Sequence, residues 1–304
     1  MAMSTKSFSA QKYLRRIRER VIESVLFLAA LSSVLTTFGV AGILIYESVP
    51  FFRHVSIKEF LTNTQWTPLF DNAQYGILPL VTGTVVTTGV ALCVAIPLGT
   101  IIAIYLSEFA PHKLREIVKP FLELLGAVPT VVFGYFALIF VTPILQKLIP
   151  DLSAFNMLSA GLVIGIMIVP YVSSLSEDAM RAVPMHIREG SYAMGATRFQ
   201  TAVRVVVPSA ISGIAAAYIL GVSRAVGETM VVAIAAGMQP NFTLNPLEPA
   251  ATITAYIVQV SLGDLPHDSI GYQTIFAAGL TLMLLTLGFN IAGYTFKKRF
   301  REVY

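Results

Sequence analysis

The chain alternates between long apolar segments and short polar stretches. A helix needs about 20 predominantly apolar residues to cross the hydrocarbon core of a bilayer. Gly and Pro recur inside the apolar segments, which is typical of closely packed and kinked membrane helices. A β-barrel would instead show short segments of alternating hydrophobicity. We therefore predict an all-α membrane protein whose six transmembrane helices are residues 21–46, 77–106, 122–144, 158–175, 209–237 and 274–296.

The composition supports this class. Of 304 residues, 55% are hydrophobic and 12% are charged, and the mean hydropathy is +0.73. A soluble globular domain is about 25% charged, so most of this chain is expected outside water. Its single cysteine, Cys93, excludes an internal disulfide.

The basic residues predict the orientation of the spans. Of the 21 Lys and Arg residues, 17 lie in the tails and loops of one side, 3 lie on the other side, and Arg224 lies inside a predicted span. Cytoplasmic loops carry such an excess, so both basic tails, 1–20 and 297–304, are predicted to be cytoplasmic. The first span resembles an uncleaved signal-anchor. The pI near 9.1 then reflects topology and not nucleic-acid binding.

The outer segments are the loop 47–76 and the stretch before the last span. Neither is large enough to indicate a separate domain. Aromatic side chains are enriched where membrane spans meet water. The residues that we predict at the outer interface are Tyr46, Trp66, Tyr75 and Tyr272. These segments either contact an extracytoplasmic partner or are plain connectors.

Motifs for chemistry are missing from the sequence. It contains no Gly-x-x-x-x-Gly-Lys-Ser/Thr phosphate loop and no Gly-x-Ser-x-Gly nucleophile motif. The four histidines are scattered, without metal-ligand spacing. We therefore expect neither an enzyme nor a metal site, and no ATP or other cofactor bound to this chain through a phosphate loop.

One cation and one anion interrupt the fifth predicted span. Arg224 and Glu228 are four residues apart and would share one face of a helix. Arg224 would lie about 22 Å along a helix that starts at residue 209. Ionisable residues at such depth are costly and usually line a pathway or pair with one another. The alternatives are a contact site for an anion and a buried pair that only fixes the helix orientation.

Three further features carry narrower expectations. Glu123 is predicted at a helix start, where the helix dipole favours a carboxylate. Glu108, followed by Pro111, is expected to mark a span that ends at water. Pro129 and Pro170 are expected to kink the bundle.

The polar segment 177–208 is too apolar for a simple linker. Helix-forming stretches surround Gly195, so a short helix, a glycine turn and a second helix are predicted, with Pro208 in the first turn of the next span. An amphipathic loop on lipid headgroups is the alternative that the residues leave open.

The same segment resembles the EAA loop of ABC transporter permeases, which reads Glu-Ala-Ala, three residues, Gly, nine residues, Ile-x-Leu-Pro. The matching residues are Glu189, Ser191, Gly195, Val205, Val207 and Pro208. Gly190 and Ser191 replace the two alanines, and valines replace Ile and Leu, at unchanged spacing. The resemblance implies coupling helices that dock on a separate ATPase subunit. It also implies the MetI-like, type I importer fold for residues 77–296.

Other stretches are similar to the PstC-type permease of the phosphate-specific ABC importers. They are residues 75–84, 95–99, 105–111, 123–134 and 223–230, the last reading Ser-Arg-Ala-Val-Gly-Glu-Thr-Met. The resemblance implies a bacterial inner-membrane subunit with Arg224 and Glu228 in the passage of inorganic phosphate.

It also implies a set of partners. These are a second, PstA-type permease, two copies of a PstB-type ATPase that binds ATP and Mg²⁺, and an extracytoplasmic PstS-type phosphate-binding protein. On this interpretation Arg224 contacts the anion transiently and Glu228 prevents it from binding too tightly. A permease for another oxyanion, such as molybdate or sulfate, is the alternative, and a stand-alone anion transporter is a third possibility.

Overall fold

Long helices account for most of the structure. The computed structural model describes residues 3–70, 72–263, 265–266 and 269–299, so the end of the predicted C-terminal tail lies outside the described residues. The helices are α1 (Met3–His54), α2 (Ile57–Thr62), α3 (Leu78–Ile104), α4 (His112–Ala127), α5 (Thr130–Phe136), α6 (Thr142–Leu148), α7 (Met157–Arg181), α8 (Met185–Ala193), α9 (Arg198–Thr201), α10 (Val207–Ser209), α11 (Ile211–Val226), α12 (Met230–Ala235), α13 (Ile253–Ser261) and α14 (Ile270–Arg299). Short π-helical segments extend α3, α5 and α9 at Tyr105–Phe109, Ala137–Val141 and Ala202–Val206.

Five helical stretches within the described residues are long and apolar enough to cross a membrane. They are Arg18–His54, Leu78–Phe109, Thr130–Leu148, Met157–Arg181 and Ile270–Arg299. The fifth predicted span, 209–237, is not one helix. Its main part is α11, which has 16 residues and is joined to the preceding helical stretch, Arg198–Ser209, by a bend of 72°. The bent pair is either a broken sixth span or a re-entrant loop.

The third predicted span, 122–144, begins at a different residue. α4 ends at Ala127, Val128 and Pro129 are extended, and α5 starts at Thr130. Proline disfavours helical backbone in the residue before it, which explains the break. Glu123 is exposed and lies late in the amphipathic α4, so its predicted position at a helix start is wrong.

The centre of the bundle is the close packing of α3 against α7. A Cβ atom on Gly161 would lie 2.7 Å from the Cβ of Val90, and one on Gly165 would lie 2.7 Å from the carbonyl oxygen of Ala91. Without side chains at these positions the two backbones approach closely, as small residues allow in membrane bundles. α7 is also the most buried of the candidate spans, so it is the fixed element against which the others are placed.

The loop after α1 folds over one end of the bundle. Trp66 forms an isolated antiparallel bridge with Tyr75, and its ring packs edge-on against Tyr256 with centroids 5.1 Å apart. Phe51 and Phe60 complete the cluster. Trp66 is 2% exposed and therefore packs inside the protein, while its depth at a membrane–water interface stays a prediction. Together with side chains of α3, α13 and α14, the aromatic residues of this loop form a second hydrophobic core.

Candidate substrate pathway and coupling segment

The segment 177–208, called the EAA-like segment from here on, folds as two short helices joined by a tight turn. α8 carries Glu189 and Ser191, and the turn before α9 contains Gly195, whose φ is +83°. Glycine adopts this left-handed conformation without the steric cost of a side chain. The Ser191 and Thr201 hydroxyls lie 2.9 Å apart and share a hydrogen bond across the turn. The predicted helix, glycine turn and second helix are confirmed.

The second half of the motif differs from its expected position. Val206 is fully buried, whereas Val205 and Val207 beside it are half-buried. Pro208 lies in the first turn of α10 and not in that of the next membrane helix, because Ala210 separates α10 from α11 at the bend. The proline thus sits just before the change of direction that leads from the EAA-like segment into the bundle.

The turn between α8 and α9 and the start of α9 expose large apolar side chains. Met194 is 88% exposed and Phe199 is 66% exposed. Contiguous exposed apolar side chains often mark a protein contact. A Cβ on Gly190 would have no atom within 4 Å, so the alanine that the family carries at this position would also fit here without a clash.

A buried ion pair fastens α8 to the rest of the molecule. The Arg188 Nη2 donates to Glu108 Oε1 at 3.1 Å, and its Nε donates to Oε2 at 3.4 Å. The same guanidinium donates to the carbonyl oxygens of Met180 and Val183 near the end of α7. The second span does end here, at Phe109, as expected, but Glu108 is 8% exposed, so the expectation that it faces water is wrong. It is half of an anchor between residues 80 positions apart.

A second buried carboxylate lies where α4 meets α7. Glu177 is 1% exposed, and its oxygens lie 3.8 Å from Arg115 Nε, 3.1 Å from Lys119 Nζ and 3.6 Å from Arg181 Nη1. Burial lowers the pKa of Lys119, but hydrogen bonds to Asp178 and Glu177 raise it by more, so it lies above its ordinary value. The lysine therefore stays charged at physiological pH. These contacts hold the amphipathic α4 against the bundle.

Arg224 lies in the last turn of α11. Counted from Ile211, it is about 20 Å along the helix. A helix that enters the membrane at Ile211 would place it inside a hydrocarbon core of about 30 Å. Its guanidinium lies over the ring of Tyr171 on α7, with Cζ 4.2 Å from the ring centroid. Its Nε is buried and has no hydrogen-bond partner in the described part of the chain. Arg224 is therefore held by an aromatic face and not by a carboxylate.

Glu228 lies outside the helix that carries Arg224. α11 is capped at Gly227, so the two charged residues do not share a helical face, and among the described residues no ion pair joins them. The N–H groups of Met230 and Val231 donate to Glu228 Oε1 at 3.2 and 3.3 Å. The carboxylate thus caps the first turn of α12. The hydroxyl of Thr254 donates to the Glu228 carbonyl oxygen at 2.7 Å and fixes the break from the other side.

The two predicted pathway residues therefore flank a discontinuity. Interrupted helices at membrane depth are tolerated where they are buried in protein or line a cavity, and transporters use them to bind ions. Two contributors were missed from the sequence. Tyr171 gives no signal, because a tyrosine in an apolar span is common, and Ser223, which donates to Asn290 on α14 at 2.9 Å, is equally inconspicuous.

Comparison with known proteins places this arrangement in context. Residues 95–302 match the family described as binding-protein-dependent transport system inner membrane component. The chain is 33% identical to the probable ABC transporter permease protein YqgH of Bacillus subtilis, over 95% of this chain and 94% of that protein. It is 34% identical to the phosphate transport system permease protein PstC 1 of Mycobacterium tuberculosis, over 77% of this chain and 79% of that protein.

Solved structures show the same fold. A bacterial ABC transporter that imports the acidic polysaccharide alginate aligns with a TM-score of 0.65 and 17% identity, over 94% of this chain and all of that chain. The methionine transporter MetNI aligns with a TM-score of 0.55 and 18% identity, over 75% of this chain and 95% of that chain. The predicted MetI-like, all-α permease fold is confirmed.

Proposed function

The chain belongs to the family of binding-protein-dependent transport system inner membrane components, and we propose that the cargo it helps to carry is inorganic phosphate. Relatives named as ABC permeases, similar over most of their length, make it a membrane subunit of an ABC importer. Several of these relatives are named phosphate transport permeases, at 32 to 34% identity over three quarters of this chain. The choice of phosphate needs support from the site itself.

The state of Arg224 is the observation that carries the proposal. A guanidinium at membrane depth costs at least about 2.5–3.5 kcal/mol to insert, unless a partner compensates it. Here the described chain supplies a ring face and no carboxylate. The planar fork of arginine matches the oxygens of a tetrahedral oxyanion. An arginine in this state is a contact for a passing anion, with Tyr171 keeping its plane in place.

Glu228 then has a different role from the one expected of a paired residue. Its carboxylate is 7% exposed and is committed to the N–H groups of α12. It shapes the break that presents Arg224, and its negative charge near the break opposes prolonged binding of an anion. Both effects favour a brief contact over a tight site.

We further propose that the EAA-like segment transmits the energy for transport. Its exposed apolar end would dock on a separate ATPase that binds ATP and Mg²⁺, and Arg188 would pass the movement to Glu108. A second permease subunit and an extracytoplasmic binding protein would complete the assembly. In this arrangement the chain lies in a bacterial inner membrane with both termini in the cytoplasm, as the Lys and Arg distribution favours.

The test is ATP-driven uptake of labelled phosphate into proteoliposomes that contain the complete transporter. Arg224→Gln should reduce uptake to background while the subunits still co-purify, because the variant removes the charge and keeps similar bulk. Lys298→Gln, exposed in the last turn of α14, is the matched control and should transport normally. Normal uptake by an assembled Arg224→Gln transporter would contradict the proposal. Competition by molybdate or sulfate, in place of phosphate, would assign a different oxyanion.

A further inference from the structure

A second polar site lies at the C-terminal end of α7, away from Tyr171 and Arg224. A cavity of about 480 Å³ opens where the end of α3, α4, the end of α7, α8 and α9 meet. Its charged lining consists of Arg115, Arg181, Arg188, Arg198 and Glu108. Tyr171 and Arg181 are ten residues apart on one helix, which is about 15 Å at 1.5 Å per residue. The cavity is therefore separate from the break in the membrane helix.

The charges in this cavity do not balance. Both carboxylate oxygens of Glu108 accept hydrogen bonds from Arg188. Glu108 therefore does not neutralise the other three arginines. Arg115 and Arg181 approach the same oxygen of Glu177, at 3.8 and 3.6 Å.

Arg198 contributes the remaining excess charge. It lies over the ring of Phe109 at 5.8 Å from the centroid, and no carboxylate of the described residues lies within ion-pair distance of it. Like charges gathered in one partly enclosed space repel unless an anion joins them.

We propose that this cavity binds a phosphate-type oxyanion. Its volume lies within the usual range of about 300–1,000 Å³ for small-molecule sites, and the arginines that line it come from α4, α7 and α9. Guanidinium groups recognise phosphate oxygens in a bidentate manner, and the hydroxyl of Tyr192 adds a neutral donor at the rim. The anion would join the EAA-like segment to α4 and α7. It would be either free inorganic phosphate or the phosphate of a lipid headgroup, which present the same chemistry.

The binding of inorganic phosphate to the purified full-length chain in detergent tests the first source. The measurements use the Arg224→Gln variant as parent, so that any binding at the helix break is absent. Equilibrium dialysis with labelled phosphate should show saturable binding, and adding Arg181→Gln with Arg198→Gln should weaken it by at least about tenfold, which corresponds to losing about 1.4 kcal/mol. Lys113→Gln, exposed on α4 outside the cavity, should leave the affinity unchanged.

Native mass spectrometry of the same proteins tests the second source. Phospholipid retained by the parent and lost from the Arg181→Gln, Arg198→Gln variant would assign the site to a lipid headgroup. Saturable binding of free phosphate would assign it to the soluble ion. The proposal is overturned if the parent binds neither free phosphate nor phospholipid, because the arginines would then pair with carboxylates of a partner protein. It is also overturned if the variant with Arg181→Gln and Arg198→Gln binds as well as the parent. Loss of uptake in Arg224→Gln is a separate result, so the transport proposal stands or falls independently.

Discussion

Two arginines at opposite ends of the path from the EAA-like segment to the bundle have opposite surroundings. Arg188 is 9% exposed, and its guanidinium donates to both oxygens of Glu108 and to two carbonyl oxygens. Arg224 is half-buried, rests on the ring of Tyr171, and has a buried Nε without a hydrogen-bond partner in the described chain. Only the first has its donors matched.

The contrast is the one expected if Arg188 has a structural role and Arg224 has the proposed role in transport. A buried ion with matched partners resists movement, because each alternative position leaves a donor or an acceptor unpaired. A charge at membrane depth with unused donors is costly to keep and is retained where a ligand uses it. Arg224, four positions from a glutamate, is thus the free one, whereas Arg188, directly next to Glu189 in sequence, pairs instead with a glutamate 80 positions away.

The largest expected effect is on the anchor. Arg188→Ala should lower the free energy of unfolding by about 3–5 kcal/mol, because it leaves the carboxylate of Glu108 buried without its partner. Arg224→Ala should lower it by no more than about 1 kcal/mol, since only a contact with a ring is lost. Unfolding in detergent micelles measures both. Equal losses would remove the distinction between the two sites.

Double-mutant cycles test the pairing directly. Substituting Arg188 and Glu108, singly and together, should give a coupling free energy of at least about 1 kcal/mol, whereas the cycle for Arg224 and Glu228 should give less than about 0.5 kcal/mol. Glu228→Ala should itself cost about 1 kcal/mol, because a helix start loses its capping acceptor. Glu228→Gln, which keeps an oxygen acceptor, should cost less. A large coupling free energy between Arg224 and Glu228 would show that they form the ion pair that their spacing suggests.

The smallest expected effect concerns the ring under Arg224. Tyr171→Leu should lower the free energy of unfolding by about 0.5–1 kcal/mol through the lost cation–π contact. Phosphate uptake should fall by more than this small loss of stability explains, because the plane of the Arg224 guanidinium is no longer held. Tyr171→Phe keeps the ring and should transport nearly as well as the parent chain. If Leu and Phe transport equally, the ring does not position Arg224.

Much of the fold was predictable because a membrane helix needs an apolar run of a certain length, which a hydropathy profile detects. Helices were predicted at all six spans, and the glycine turn of the EAA-like segment followed from Gly195 and its neighbours. The predicted boundaries failed where a helix breaks inside an apolar run. The breaks at Val128–Pro129 and Gly227–Thr229 each contain one conspicuous residue, Pro129 or Glu228, but a single residue hardly changes the mean hydropathy of a long apolar run.

The candidate site was predictable in part for the same reason. Arg224 and Glu228 stand out because charges in an apolar run are rare, but their relation depends on whether the backbone between them is helical. The Arg188–Glu108 anchor joins positions 80 residues apart, and nothing local in either segment indicates the other. Trp66 shows the same limit, since an aromatic residue near a span end looks alike whether it faces headgroups or a folded loop.

The sequence by itself determined the class of protein, the location of its apolar segments and the polar segment between the fourth and fifth of them. These properties follow from composition, periodicity and a glycine, which act within about 20 residues of chain. Only the tertiary structure decided which charge meets which. A carboxylate takes the donors that packing brings nearest, and the packing of α7 brings Tyr171 to Arg224 while the end of α3 brings Glu108 to Arg188.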